Sequence, residues 1–469
     1  MGGSVQDERT TGATPRLTEF VKAYDVRGLV GSQLTTDVAR AIGNAFAVQL
    51  AERDADSVVI AYDMRDSSPE LAGAFAEGVT TAGLDVVMAG LGSTDLLYFA
   101  SGYLNMPGAM FTASHNPARY NGIKMCFAGA QPISLDTGLG RVRDEAQAVL
   151  DGSAEPVVAA TPGTVSERSL VQEYADYLRS LVDLTGIRPL HVVVDAGNGM
   201  AGYTVPVVLG DLPLSIDAMY FELDGSFPNH EANPLEPANL VDLQAEVRRV
   251  GADIGLAFDG DADRCFVVDE RGEPVSPSAV TALVATRELA KSPGSTILYN
   301  LISSRAVPEI VGEHGGNAVR TRVGHSFIKA EMAHTGAVFG GEHSAHYYFA
   351  NFFNADTGML AALHVLAALG EQDGTLSDLV AAYSRYVASG EINSTVPDAP
   401  AKLDELRAWA ADNGAEVDEL DGITVTLPDS RWFNVRASNT EPLLRLNVEA
   451  PDEATMAALR DEILGLIRA

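Results

Sequence analysis

Three stretches of the chain share one pattern: a β-branched run, a polar loop, an apolar-periodic helix and a second strand. They span residues 58–87, 192–220 and 295–322. Each pattern is typical of a βαβ unit, and such units build mostly parallel sheets. Three copies at wide spacing therefore predict three related α/β domains with mixed, mostly parallel sheets.

The C-terminal part has a different pattern. Strands are predicted at 422–427, 432–435 and 443–448, with helical patterns at 400–413 and 452–467. This order is typical of an α+β domain with a short antiparallel sheet. Candidate linkers lie near 159–163, 269–274 and 389–400. Four domains are therefore predicted, at 1–162, 163–268, 269–385 and 386–469.

The charge balance limits the partners. With 64 acidic and 32 basic residues the net charge is −32. Such a surface repels nucleic acid and anionic lipid, so neither is expected as a partner. An anionic substrate would need a local basic pocket in this acidic molecule.

Other global features favour a cytoplasmic protein. No stretch approaches the ~20 apolar residues of a membrane span. Residues 1–16 lack the basic-then-apolar pattern of a secretion signal and are predicted to form a short disordered tail. Cys126 and Cys265 form no CxxC pair, so we expect two buried thiols rather than a zinc site or a disulfide scaffold.

The first motif with chemical potential is TASHNP at 112–117, with Lys124 close behind. An Asn-Pro pair closes a turn, so Ser114 is expected on an ordered loop. A lone serine needs activation, or a phosphoryl group to hold, before it acts in covalent chemistry. The alternative is an ordinary turn serine.

The second motif is DGDADR at 259–264, between two apolar runs. Asp259, Asp261 and Asp263 alternate with small residues, which lets three carboxylates face one hard cation such as magnesium or calcium. An EF-hand is excluded because Arg264 replaces the required glycine and the flanks are predicted strands. A solvated acidic turn remains the alternative.

Four further segments carry weaker signals. Residues 341–346 (GEHSAH) could bond sugar hydroxyls, and residues 436–442 (RASNTEP), with Arg445 beyond, could cradle a phosphate. Residues 324–329 (GHSFIK) precede a helical pattern whose start could hold an anion. Residues 24–28 (YDVRG) place an arginine in a predicted turn.

A glycine-rich segment, GNGMAG at 197–202, matches the dinucleotide-binding fingerprint. Pro206 lies inside the following helical pattern, so the helix must be short. A dinucleotide-dependent oxidoreductase is therefore disfavoured.

Together, TASHNP, DGDADR, GEHSAH and RASNTEP resemble, in this order, the motifs of the α-D-phosphohexomutase superfamily. The form of GEHSAH, which corresponds to the sugar-binding loop of that superfamily and is called here the sugar loop, is similar to its phosphomannomutase/phosphoglucomutase branch, as is the segment FPNH at 227–230. The resemblance spans nearly the whole chain. It implies four domains around a central cleft and an enzyme that interconverts hexose 6-phosphate and hexose 1-phosphate. Mannose would be preferred and glucose accepted, through a hexose 1,6-bisphosphate intermediate.

The resemblance also implies a role for each site residue. Ser114 would carry the phosphoryl group and, with Asp259, Asp261 and Asp263, bind Mg²⁺. The other roles are transition-state charge stabilisation by Lys124, Arg27 and Arg264; sugar or phosphate binding by Tyr24, Gly324, Glu342, Ser344, Arg436, Ser438, Asn439, Thr440 and Arg445; and proton transfer by His325 or His346.

The sequence departs from the family pattern at three positions. His343 and Ala345 stand where the commoner sugar loop has methionine and glycine. Leu301 stands where some members have lysine, so one phosphate or hydroxyl contact is either lost or supplied by Arg305. A phosphoglucosamine mutase and a catalytically silent sugar-phosphate-binding protein are the alternatives. A monomer or a homodimer is expected.

Overall fold

A computed structural model describes residues 14–437 and 443–469, with every side chain there except those of His325 and Ser326. The predicted N-terminal tail therefore lies outside the described residues, apart from its last three positions. Four sheets follow one another along the chain. Within the described residues, no helix combines the length and the apolar character needed to cross a membrane.

The first sheet has seven strands in the order β1-β5-β4-β2-β3-β7, with β6 beside β5. Its strands are β1 (Asp25–Leu29), β2 (Ser57–Tyr62), β3 (Asp85–Leu91), β4 (Gly108–Phe111), β5 (Tyr120–Phe127), β6 (Gln131–Pro132) and β7 (Val165–Glu167). Its helices are α1 (Thr36–Ala51), α2 (Ser68–Thr81), α3 (Thr94–Leu104) and α4 (Gly140–Leu150). Side chains of β2 alternate between two cores: Val58 and Ile60 pack with α1 and α2, whereas Val59 and Ala61 pack with α3.

The second sheet has five strands in the order β12-β11-β10-β8-β9. They are β8 (Leu190–Asp195), β9 (Leu214–Met219), β10 (Ile254–Phe258), β11 (Cys265–Asp269) and β12 (Pro274–Val275), with helices α5 (Val171–Leu181), α6 (Ala201–Leu209) and α7 (Val241–Val250). The helix after the glycine-rich segment is short and contains Pro206, as the sequence predicts.

The third sheet has five strands in the order β14-β13-β15-β16-β17. They are β13 (Thr296–Asn300), β14 (Asn317–Thr321), β15 (Phe339–Gly341), β16 (Tyr347–Phe349) and β17 (Ala355–Asp356). The helices are α8 (Pro277–Lys291), α9 (Ala306–Glu313), α10 (His325–Thr335), α11 (Gly358–Gly370) and α12 (Leu376–Ala381). Each predicted βαβ unit has its parallel pair, namely β2–β3, β8–β9 and β13–β14.

The fourth sheet is antiparallel in every pair and has six strands, so it is larger than the short sheet that the sequence predicts. The strands are β18 (Val387–Ala388), β19 (Ile392–Thr395), β20 (Glu416–Asp418), β21 (Ile423–Thr426), β22 (Trp432–Ala437) and β23 (Leu443–Ala450), with helices α13 (Ala399–Asp412) and α14 (Glu453–Arg468).

The cores divide the molecule into a large block and a separate fourth unit. One apolar cluster runs through the first three units, from Val59 to Val380. The fourth unit has its own cluster, from Val396 to Ile467. A unit with its own core can move as a body when the interface with its neighbour is small.

Two strands lie beyond the predicted domain boundaries. The first sheet includes β7, after the boundary predicted at 162, and the second includes β12, after the boundary predicted at 268. The segment 269–274, which resembled a linker, is the turn between β11 and β12. The segment 24–28 does not form a turn, because Asp25–Leu29 is strand β1 and pairs with β5. Its partner is distant in the sequence, which local patterns do not reveal.

Candidate active site

Ser114 lies on the loop between the antiparallel strands β4 and β5, called here the serine loop (residues 112–119). Its hydroxyl donates a hydrogen bond to Oδ2 of Asp259 at 2.9 Å, and its side chain is almost fully buried. The backbone of Ser114 has a φ of 50°, a strained value for a residue other than glycine. Such strain is concentrated at functional sites, where the surrounding structure holds it.

Gly260 allows this close approach. A Cβ at Gly260 would lie 2.4 Å from the carbonyl oxygen of Ser114. On its other side, the carbonyl of Gly260 accepts a hydrogen bond from the amide of Met200 at 2.9 Å. The glycine-rich segment 197–202 therefore supports the acidic loop through its backbone.

The acidic loop, residues 259–264, turns between β10 and β11 as the sequence predicts. Its three aspartates are buried, and one carboxylate oxygen of each lies within 4.8 Å of the others. Oδ1 of Asp261 and Oδ1 of Asp263 are buried without a hydrogen-bond partner among the described residues. Buried carboxylate oxygens left unpaired are costly, so this donor set fits a hard cation.

Lys124 on β5 reaches into this cluster. Its ammonium nitrogen lies 2.7 Å from Oδ2 of Asp261 and 2.7 Å from Oδ2 of Asp263. Burial disfavours the charged lysine, but the two carboxylates outweigh it and raise the pKa of Lys124 well above its ordinary value. Burial alone would raise the pKa of Asp261, but Lys124 outweighs burial and holds this pKa below its ordinary value. The lysine is therefore a permanent positive charge beside the serine.

Asp259 differs from its neighbours. Burial raises its pKa to about 8, and the two nearby aspartates add to this, against the effect of Arg264. The guanidinium of Arg264 lies 2.8 Å from Oδ2 of Asp259 and donates to Nδ1 of His115 at 2.6 Å. Burial and Arg264 lower the pKa of His115 well below its usual range, so this ring nitrogen accepts.

Arg27 approaches the serine loop from β1. It donates to Oδ1 of Asn116 at 2.7 Å and pairs with Asp25 at 2.8 Å. Tyr24 precedes the strand, and burial raises the pKa of its hydroxyl. Arg27, Lys124 and Arg264 therefore bring three positive charges to the serine loop and the acidic loop, each paired with a carboxylate.

The sugar loop, residues 342–346, connects β15 and β16. The buried carboxylate of Glu342 accepts hydrogen bonds from the amide of Gly324 at 3.1 Å and the hydroxyl of Tyr348 at 2.7 Å. The Oγ of Ser344 lies 3.0 Å from Nδ1 of His346. The other ring nitrogen of His346 lies 3.8 Å from Oδ1 of Asp263, so this histidine faces the acidic loop.

Arg305, which could supply the contact of the lysine that Leu301 replaces, is paired with two other groups in this structure. Its guanidinium donates to the carbonyl of Ser430 at 2.7 Å and pairs with Glu309 at 3.2 Å. Arg305 therefore joins the third unit to the fourth.

The fourth unit presents two arginines, called here the cradle arginines, Arg436 and Arg445. They are direct cross-strand partners on β22 and β23. Of the predicted phosphate cradle, Ser438, Asn439 and Thr440 lie outside the described residues, as does the side chain of His325.

Sequence reasoning missed Arg65, which organises the serine loop. Its side chain is buried and forms an ion pair with Asp63 at 3.2 Å. The guanidinium carbon lies over the aromatic ring of Phe227, 5.1 Å from the ring centroid. Its guanidinium donates to four carbonyls of this region at 2.7–3.1 Å: those of Ser114, Asn116, Pro117 and Tyr120. The only sequence signal for Arg65 is an arginine in the polar loop after β2 of the first βαβ unit.

Thr94 was missed as well. Its hydroxyl donates to Oδ2 of Asp261 at 2.6 Å, and its amide donates to the carbonyl of the same residue at 3.0 Å. Thr94 begins α3, so the first unit fixes the acidic loop of the second.

Comparisons with known proteins agree with this geometry. The chain matches four models of phosphoglucomutase/phosphomannomutase: α/β/α domain I at residues 18–146, domain II at 172–272, domain III at 276–386 and the C-terminal domain at 391–466. It is 41% identical over 450 residues to "Phosphohexose mutases" of Xanthomonas campestris pv. campestris, covering 95% of this chain and 98% of the relative.

Two further relatives agree. A phosphomannomutase of Escherichia coli is 39% identical over 456 residues, covering 95% of this chain and 98% of the relative. A crystal structure of a phosphoglucomutase/phosphomannomutase family protein from Burkholderia thailandensis superposes with a TM-score of 0.86 at 34% identity, covering 96% of this chain and 97% of the other. The chain therefore belongs to the phosphoglucomutase/phosphomannomutase family of the α-D-phosphohexomutase superfamily, and it is a phosphohexose mutase.

Proposed function

We propose that the enzyme interconverts the 1-phosphate and 6-phosphate of mannose, and also of glucose, through a phosphoserine at Ser114. The observation that carries this proposal is the position of the Ser114 hydroxyl, 2.9 Å from Asp259 and beside the buried acidic loop. The name of the Escherichia coli relative, phosphomannomutase, favours mannose.

Mg²⁺ is the proposed metal, held by Asp259, Asp261, Asp263 and the phosphate on Ser114. It fits because the two unpaired aspartate oxygens are hard donors in a buried site. When bound, it neutralises charge on the phosphoryl oxygens, as phosphoryl transfer requires.

Side chains of the protein stabilise the transferring charge and accept the proton. Lys124, Arg264 and Arg27 stabilise the negative charge of the transferring group. The substrate hydroxyl attacks phosphorus as the bond from phosphorus to the Ser114 oxygen breaks. Its proton passes to His346 or His325, since histidine is the side chain that most often acts as a general base. The product of this step is a hexose 1,6-bisphosphate, which turns around and returns its other phosphate to Ser114.

The non-reacting phosphate is proposed to bind the fourth unit, at the cradle arginines and at Ser438, Asn439 and Thr440. Glu342 and Ser344, with Tyr24 and Gly324 nearby, are proposed to contact the sugar and phosphate groups. The separate core of the fourth unit suits closure over a substrate, since a body with its own core can swing without unpacking the rest.

We also propose a cytoplasmic monomer or homodimer. Both cysteines are buried and free, which is compatible with a reducing compartment.

The test is a coupled assay with Mg²⁺ and a trace of glucose 1,6-bisphosphate, comparing the 1-phosphates of mannose, glucose and glucosamine. Ser114→Ala should abolish turnover and phosphorylation by the bisphosphate, whereas Ser226→Ala, an exposed serine, should retain both. Preference for glucosamine 1-phosphate would assign a different substrate. A phosphorylated, Mg²⁺-replete wild type that is inert on all three would leave a binding protein as the better description.

A further inference from the structure

Glu391 pairs with both cradle arginines at once. Its Oε2 lies 2.8 Å from Nη2 of Arg436 and its Oε1 lies 3.2 Å from Nη1 of Arg445. One carboxylate thus bridges two guanidinium groups that are side by side on neighbouring strands. The Glu391 side chain is 27% exposed, so solvent or a ligand can reach it.

Glu391 also faces the third unit. It lies in the segment between β18 and β19, where the chain enters the fourth unit. Its charge acts on His343 of the sugar loop: burial lowers the pKa of His343, and Glu391 opposes this. Gly390, the residue before Glu391, lines one cavity together with His343 of the sugar loop, so the bridged arginines lie near the boundary between the fourth and third units.

A carboxylate and a phosphate present similar oxygen pairs to a guanidinium, and both accept forked hydrogen bonds. A phosphate monoester carries more charge than a carboxylate, about −1.5 to −2 at pH 7, and offers more oxygens. A bound phosphate therefore competes with Glu391 for the same arginine donors and has the advantage.

We propose that Glu391 is an internal substitute for the substrate phosphate, which pairs with Arg436 and Arg445 when the phosphate is absent and yields to it on binding. This inference rests on the proposed function, in which the two arginines hold the non-reacting phosphate. The two arginines pair either with Glu391 or with the substrate phosphate. The cradle is therefore never left with two adjacent unpaired cations.

The consequence concerns the bisphosphate intermediate. To turn around, it must give up its contacts with the cradle and then make them again with its other phosphate. Release is easier when Glu391 takes back the arginines as the phosphate leaves. Glu391 therefore weakens binding and speeds the exchange of the two phosphates.

The test compares Glu391→Gln with wild type by steady-state kinetics and by the inhibition constant of inorganic phosphate. KM and this inhibition constant should both fall about three- to tenfold, as expected when one competing charge near a phosphate site is lost. The turnover number should fall as well, because tighter ground-state binding slows release.

Two variants make the result specific. Arg436→Gln should remove the effect of Glu391→Gln in a double-mutant cycle, since the competition requires the arginine. Glu419→Gln removes an equal charge from an exposed pair with Arg407 on the same unit and should change neither KM nor the turnover number. Glu391→Asp keeps the charge and should remain closer to wild type than the glutamine variant.

Some outcomes would overturn the proposal. A raised KM at unchanged turnover in Glu391→Gln means that Glu391 only orients the arginines. Unchanged constants in both Glu391 variants mean that it has no part in phosphate exchange. Calorimetry with inorganic phosphate measures binding to each variant without turnover. A wild type that is inert in the mutase assay would therefore count against the proposed function and leave the test of Glu391 intact.

Discussion

The ammonium group of Lys124 lies 2.7 Å from Oδ2 of Asp261, one of the three carboxylates that we propose as the Mg²⁺ site. A cationic side chain and a cation share the same carboxylates. The lysine therefore lowers the negative charge available to a metal and at the same time places a positive charge beside Ser114.

Replacing Lys124 by methionine separates these two effects. We expect the turnover number to fall by about a hundredfold to a thousandfold, as when one group that stabilises developing charge is removed. We expect Mg²⁺ to bind at least as tightly as to wild type, because the carboxylates lose a competitor. Steady-state kinetics and Mg²⁺ calorimetry measure the two effects. Lys402→Met, at an exposed pair with Glu405, is the control. Much weaker Mg²⁺ binding in Lys124→Met would mean that the lysine organises the loop.

The hydroxyl of Thr94 makes a testable contribution to the proposed metal site. Thr94→Val removes the 2.6 Å hydrogen bond to Asp261 and keeps the shape of the side chain. Partners that orient a ligand are worth about ten- to a hundredfold in metal affinity, and we expect a loss of this size. Asp261→Asn should lose more.

Mg²⁺ calorimetry is the measurement for both substitutions. Thr81→Val is the matched control, because the hydroxyl of Thr81 bonds only within its own helix. Equal affinity in Thr94→Val and wild type would show that Asp261 needs no second partner to hold its orientation.

The sequence predicts the contiguous parts of this site and misses those that tertiary structure assembles. Ser114 and the three aspartates belong to short motifs, in which the chemistry and the turn are encoded together. Arg65 follows an ordinary strand, and Thr94 begins an ordinary helix. Their function comes from contacts with the serine loop and the acidic loop, which a one-dimensional pattern does not contain.

The same reasoning explains the fold. The parallel pairs are predictable because each βαβ unit is local, whereas Arg27 was assigned to a turn because the partner of β1 is β5, far along the chain. The proposed competition between Glu391 and a phosphate is equally hidden, because Glu391 is far in the sequence from Arg436 and Arg445. The assignments of Ser438, Asn439, Thr440 and His325 remain predictions.

Arg65 is expected to be essential for the shape of the serine loop. Arg65→Met leaves Asp63 buried without its ion-pair partner and four carbonyls without a donor. Breaking a buried pair costs about 3–5 kcal/mol, so we expect a markedly lower melting temperature together with a large loss of turnover. Arg65→Lys should recover little, since an ammonium group lacks the planar fork.

Thermal unfolding and the mutase assay check this prediction. Arg168→Met, at a half-exposed arginine 3.6 Å from Glu173, is the control and should leave both unchanged. Full turnover by Arg65→Met would contradict the role of Arg65, even if the protein melts earlier.

Asp95 predicts a pH dependence of stability. It is fully buried where the first three units meet, and it accepts hydrogen bonds from Ser93, from Tyr174 at 2.6 Å and from Thr357 at 2.7 Å. Burial raises its pKa to about 7, against the effect of these donors. The folded protein therefore holds a proton that the unfolded chain releases near pH 3.8.

The stabilisation from this proton is fully present below pH 3.8 and is lost as the pH rises to about 7. In Asp95→Asn that loss is absent. The free energy of unfolding of wild type should fall relative to that of the variant between pH 5 and 7, by at most about 1.4 kcal/mol per pH unit, and the difference should be constant above that range. Thermal unfolding measures it as a matching fall in melting temperature. Tyr174→Phe removes a donor to the charged form and should move the window to higher pH. A difference that stays constant from pH 5 to 8 would mean that Asp95 is ionised throughout, with its three hydroxyl donors outweighing burial.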